Sequence, residues 1–147
     1  MEIAAIVLSA VAVIISVVVP IYQDKAEKKL NRIELKAIYH QDIYKNYLIK
    51  EIPVARRYLT FDNDGRLANI DKLCSCLRGI TFDSLYFLYA APSYYHMLQE
   101  KCGMLEDYLV ECSQKPHSKE ITKQIENEIQ IKIKEIYDII EDKYVKG

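Results

Sequence analysis

Four cysteines, three histidines, one acidic turn and one pair of adjacent arginines are the side chains whose types could do chemistry, and their spacing decides which chemistry. Cys74, Cys76, Cys102 and Cys112 are enough for a tetrahedral zinc site. Residues two apart on a helix point about 200° apart, however, so Cys74 and Cys76 cannot grip one ion without unwinding the helix. Cys74, Cys102 and Cys112 instead fall on apolar stripes of helical spacing, and are expected as small core side chains with free thiols in a reducing compartment. Cys76 is expected at the surface.

Asp62, Asn63, Asp64 and Gly65 resemble the middle of a calcium-binding EF-hand loop. In that register the first ligand is Thr60 rather than Asp, and the twelfth is Asp71 rather than a bidentate Glu. An interhelical turn is therefore the expectation. His40, His96 and His117 stand apart in sequence and belong to no metal or nucleophile motif. A charge change at His40 near neutral pH would bias an interface if the helix carrying it packs against another. Arg56 and Arg57, beside Tyr58, are a basic pair suited to a phosphate or an acidic partner, and mark a candidate partner surface. The competing expectation for them is a solvated face.

There is no Walker loop, Gly-rich dinucleotide turn, nucleophile elbow or paired-carboxylate helix motif. No catalytic residue, metal ligand or cofactor is assigned, and the chain reads as non-enzymatic. Its net charge of -1 argues against general nucleic-acid binding, which needs a basic face to neutralise phosphates.

The elements that carry these residues begin with an N-terminal apolar segment. Residues 3–22 contain no charged side chain, and at 1.5 Å per residue they cover about 30 Å, the thickness of a bilayer's hydrocarbon core. About a dozen of them are Ile, Leu or Val, each favouring insertion by roughly 0.3 to 0.6 kcal/mol at mid-membrane. Glu2 precedes the run and the lysines follow it, the reverse of a cleavable signal peptide. The expected organisation is a transmembrane anchor over 1–22 and a cytosolic helical bundle over 23–147. Lys25, Lys28, Lys29 and Arg32 form the cytosolic flank, so the expected location is the inner (plasma) membrane, single-pass, with the N-terminus outside.

Within the span Ala5, Ser9, Ala12 and Ser16 recur at spacings of four, three and four. Small residues on one seam let membrane helices approach closely and let hydroxyls bond across the contact. The same register continues through Val19, Gln23, Ala26, Leu30, Ile33, Ala37, His40, Tyr44 and Tyr47, predicting one long self-associating helix and a homo-oligomer.

The remaining chain predicts an all-α bundle of about four or five helices. Only 4 Gly and 4 Pro leave little material for tight turns, which disfavours hairpins. The segment 24–50 reads as amphipathic, with Leu30, Ile33, Ala37, Tyr44, Tyr47 and Leu48 inward, and Pro53 breaks or offsets it. Leu67, Ile70, Leu73, Cys74 and Leu77 define a second helix, closed by Gly79 as a C-cap. The aromatic run 82–89 is read as helix, since a lone strand would leave its backbone groups unpaired. Pro92 opens the next helix, with the stripe Tyr95, Leu98, Cys102, Leu105, Leu109 and Cys112. Ser118 caps the last, whose face is Ile121, Ile125, Ile129, Ile133, Ile136, Ile140 and Tyr144.

An N-terminal span followed by a cytosolic helical bundle resembles the layout of small bacterial defence proteins, including membrane-anchored accessories of RNA-targeting CRISPR systems with HEPN-like bundles. The resemblance implies a role in anti-phage defence. Nuclease members of that group carry Arg and His separated by four residues. Here the residues five beyond Arg32, Arg56, Arg57, Arg66 and Arg78 are Ala37, Phe61, Asp62, Asp71 and Asp83. The resulting expectation is a membrane-anchored, non-enzymatic effector or adaptor that oligomerises in the bilayer. The rivals are a passive anchor that recruits a cytosolic protein, and a HEPN-like nuclease whose site would involve Arg78 or His96.

Overall fold

The computed structural model describes residues 41–145, together with Glu27, Leu30 and Ile38. The apolar span, its seam Ala5, Ser9, Ala12 and Ser16, the flank Lys25, Lys28, Lys29 and Arg32, and the register through Ile33, Ala37 and His40 lie outside the described residues. Leu30, expected to face inward, is 56% exposed. No helix among the described residues is long and apolar enough to cross a membrane.

The described chain is mostly helical, and the all-α expectation holds. It opens with a π-helical segment, π1 (Tyr44–Glu51), running directly into α1 (Ile52–Tyr58). A hairpin follows, β1 (Thr60–Phe61) and β2 (Leu67–Ala68), then α2 (Asp71–Asp83), the short α3 (Tyr86–Ala90), α4 (Pro92–Gln114) and α5 (Lys119–Val145). The core is a three-helix seam. Leu73, Leu77 and Ile80 of α2, Leu98, Leu105 and Leu109 of α4, and Ile129, Ile136 and Ile140 of α5 are all at most 1% exposed. Helix α4 packs on α5, α2, α3 and β2, and thus serves as the central post.

The period read from the sequence is the cause of this packing. Every residue of the α4 stripe is buried, because alternating steps of three and four keep one face on the core. On α5, Ile125 through Ile140 behave in the same way. Ile121 is 43% exposed, because it lies in the first turn, before α5 reaches the core; the Tyr144 side chain lies outside the described residues. The N–H of Ile121 reaches Ser118 Oγ at 3.4 Å, a long version of the expected cap.

Three expectations are corrected. A hairpin does form, despite the shortage of Gly and Pro. One acidic turn suffices for it: Asp62 Oδ1 accepts the N–H groups of Asp64 at 2.9 Å and Arg66 at 2.8 Å, while Gly65 takes φ +77°. Helix α2 does not begin near Leu67, which lies in β2 facing Phe61. Asn69 stops it by adopting φ +61°, outside any right-handed helix, with its Nδ2 donating to Thr60 Oγ1 at 2.9 Å. Nor does Gly79 close that helix, which continues to Asp83. Gly79 is there for space: a Cβ would lie 2.9 Å from the Tyr47 hydroxyl oxygen and 3.1 Å from its ring.

Candidate functional site

Between α1 and α5 the helices leave a groove of about 810 Å³. Its position follows from Pro53. In π1 the hydrogen bonds step back five residues, so the N–H of Ile52 is taken by Tyr47 O. Leu48 O has then lost Ile52 as a donor, and the next candidate in that register, Pro53, has no N–H. The orphaned carbonyl is satisfied from outside the helix. Tyr137 Oη, on α5, donates to it at 2.6 Å. That bond joins π1 to α5 and holds the groove's two walls at a fixed separation.

The floor and sides are Ile52, Pro53, Ile131 and Ile133, with the amides of Asn127 and Gln130 along one wall. Arg56 and Arg57, in the last turn of α1, and Lys134 of α5 supply the charge, and no carboxylate lines the groove. Cations suit a helix C-terminus, where the backbone carbonyls point outward. Lys134 already pairs with Asp138 along its own helix. Among the described residues neither guanidinium has a hydrogen-bond or ion-pair partner. The combination is an apolar channel with two guanidiniums, uncommitted among the described residues, at one edge.

Of the three, Arg56 and Arg57 line the groove and Tyr58 does not. Tyr58 lies outside the groove, where Lys72 Nζ sits 3.2 Å above its ring centroid in a cation–π contact. Lys72 borders a second cavity of about 520 Å³, shared with Tyr47, Glu51, Cys76 and Gly79. There the Tyr47 hydroxyl donates to Asp83, and burial, then that bond and the carboxylate's charge, push the phenol above its usual range. Gly79 permits this by letting the ring lie against α2.

Cys76 is corrected: it is 6% exposed, not at the surface. Its place on α2 faces the second cavity, a side the α2 stripe read from the sequence did not include. Burial pushes its thiol up to about 12, and that of Cys102 likewise to about 12. Cys74 and Cys112 are also raised, mainly by burial. All four are free and buried, and such thiols stay protonated and unreactive at neutral pH.

Arg78 and His96 are committed separately. Arg78 Nε donates to Glu106 Oε1 at 2.8 Å, whereas His96 is exposed with its ring edge against Tyr95. In the acidic turn, the Asp62 carboxylate is occupied by two backbone amides, and the turn seats under the α4–α5 loop at His117. No group of three or more His, Cys, Asp or Glu arranged to hold a metal occurs among the described residues. Sequence reasoning identified the two arginines but not the groove. Its other wall lies about seventy residues away on α5, and only Pro53 hinted that the helix would need an outside donor there.

Comparison with protein-family models, with curated proteins and with solved structures finds no match.

Proposed function

We propose that this chain is a membrane-anchored, non-enzymatic helical adaptor or effector, whose bundle docks an acidic, amphipathic helical segment of a partner protein in the α1–α5 groove. The observation that carries the proposal is the pair Arg56 and Arg57, uncommitted among the described residues, at the edge of an apolar-floored groove with no carboxylate lining. A helix lying in such a groove buries one apolar stripe on Ile52, Pro53, Ile131 and Ile133, and sets carboxylates against the guanidiniums. Charge complementarity favours an acidic occupant.

The anchor is the charge-free segment 3–22, with Lys25, Lys28, Lys29 and Arg32 holding its C-terminal side in the cytoplasm. Its seam Ala5, Ser9, Ala12 and Ser16 associates copies in the bilayer, so partner segments are gathered at one place on the membrane. The layout shared with anti-phage accessories makes bacterial defence the setting for this gathering.

Three perturbations test the proposal. Ser9→Leu with Ser16→Leu abolishes oligomers in detergent if the seam associates the spans; unchanged oligomer size removes that part. Deleting residues 2–22 releases the chain from membranes while leaving partner capture intact, and Arg56→Glu with Arg57→Glu does the opposite. If the charge-reversed, membrane-bound chain retains its partner, the groove is not the docking site.

A further inference from the structure

The helix that leads into α1 is wound in a register that its sequence allows it to give up. Ile43, Leu48 and Ile52 are 2%, 3% and 2% exposed. Residues five apart stand about 140° apart on an α-helix, so Ile43 and Leu48 share the buried face only because π1 winds more widely. At 8 residues π1 exceeds the single turn usual for such segments, and Pro53 shows what sustains it. Pro53 has no N–H, so one carbonyl ahead of it lacks a helical donor in either register. In the π register that carbonyl is Leu48 O, served by Tyr137 Oη at 2.6 Å. In an α register Leu48 O takes the Ile52 N–H, and the orphan becomes Ile49 O. Ile49 is 57% exposed, where water serves a carbonyl. Neither register leaves a carbonyl bare, so side chains decide between them. Burial of Ile43, the Tyr47 hydroxyl on Asp83 and the Tyr137 hydroxyl on Leu48 O all favour π.

We propose that π1 is a register switch thrown by occupancy of the α1–α5 groove. An acidic segment docked there accepts the Tyr137 hydroxyl, and the released Leu48 O takes back the Ile52 N–H in an α register. The inference rests on the docking reading above. Tyr137, Ile52 and Pro53 all line the groove, so the hydroxyl, the competing donor and the proline that forces the choice lie within reach of one occupant. A hydroxyl has one hydrogen to give, and a carboxylate accepts it in a bond roughly twice as strong as a neutral carbonyl does. An occupant that binds the α register better shifts the population toward it by the ratio of its two affinities. A change of one residue in register turns the helical residues 41–43 by about 100° against the bundle and lifts Ile43 from the core. Docking in the groove is thereby coupled to the stretch of chain that follows the charge-free segment 3–22 and enters the bundle.

Maleimide labelling of full-length Ile43→Cys in mild detergent reads the register. The four native cysteines are free and buried, so they label only when the bundle opens and serve as the internal reference. The groove probe is a synthetic helical peptide of Glu and Leu, its binding followed by fluorescence anisotropy. Saturating peptide is expected to raise labelling at position 43 about tenfold, the worth of one net hydrogen bond, with the native thiols silent. Deleting Lys45, which is exposed, separates a register switch from simple fraying. The deletion leaves position 43 and Leu48 four apart, so a plain α-helix buries both, and labelling falls and no longer responds to peptide. Labelling that rises on deletion means that the helix has been turned off its face, and overturns the switch. Melting of the deletion chain with Ile43 intact asks the same question without a label: stability at least equal to wild type is expected, and lower stability overturns the switch. Peptide that binds without changing labelling overturns the switch and leaves docking standing, while peptide that does not bind overturns both. All five thiols responding together means that the whole bundle opens, and also overturns it.

Discussion

Replacing Tyr137 by Phe removes one oxygen and keeps the ring, and with the oxygen goes the bond that ties π1 to α5. Leu48 O then has no donor in its helix, because Ile52 N–H serves Tyr47 and Pro53 has none. Leaving a buried acceptor unsatisfied costs about 1–3 kcal/mol. The site is only part-buried and water can reach some of it, so the lower half of that range applies, ~1–2 kcal/mol. For a domain of about 100 residues this lowers the melting temperature by roughly 5–10 °C. The expectation has an internal control. Pro53→Ala restores an N–H that can reach Leu48 O in the π register, so Tyr137→Phe costs less in that background. The two substitutions are coupled by about 1 kcal/mol in a double-mutant cycle, measured by thermal and urea unfolding of the full chain in mild detergent. A Tyr137→Phe melting curve that overlays wild type, or an equal cost with and without Pro53, would refute the reasoning.

Gly79→Ala gains up to about 1 kcal/mol of helix propensity but drives a Cβ into the Tyr47 ring, so it is neutral to destabilising in wild type. In a Tyr47→Ala background the same change becomes stabilising, which paired unfolding curves check. Gly65→Ala is worse, by about 2–4 kcal/mol, because it combines φ +77° with a Cβ 2.0 Å from the His117 carbonyl oxygen, and backbone cannot swing away. Unfolding midpoints near wild type would contradict that placement of the turn. Cys76 and Cys102 have folded-state pKa values near 12, raised from 9.0. Raised values mean that the folded state holds these protons more tightly, so their contribution is complete below about pH 9 and is lost as pH climbs toward 12. Each thiol contributes a slope of at most ~1.4 kcal/mol per pH unit, and Cys76→Ala with Cys102→Ala flattens the alkaline limb of the stability profile.

What was legible in the sequence was what repeats. The α4 stripe from Tyr95 to Cys112 and the isoleucines of α5 are long periodic runs, and periodicity is a sum over many residues that no single neighbour can overturn. What was not legible depended on single residues acting at a distance. Asn69 in the left-handed region delays α2, and Gly79 makes room for a tyrosine more than thirty residues earlier. Cys76 is buried by a neighbouring element, not by its own helix's stripe. The candidate site divides in the same way: the charge of Arg56 and Arg57 is visible in the chain, but the apolar floor beside them exists only once α5 lies against α1.

The most direct test of the docking proposal is site-specific photocrosslinking from Gln130, on the groove wall, in membranes of the source cells expressing the full chain. The account predicts a discrete adduct whose crosslinked peptide is an acidic, amphipathic helical segment, lost when Arg56 and Arg57 are replaced by Glu. An adduct that survives this charge reversal, one that maps to a basic segment, or no adduct at all, would contradict it.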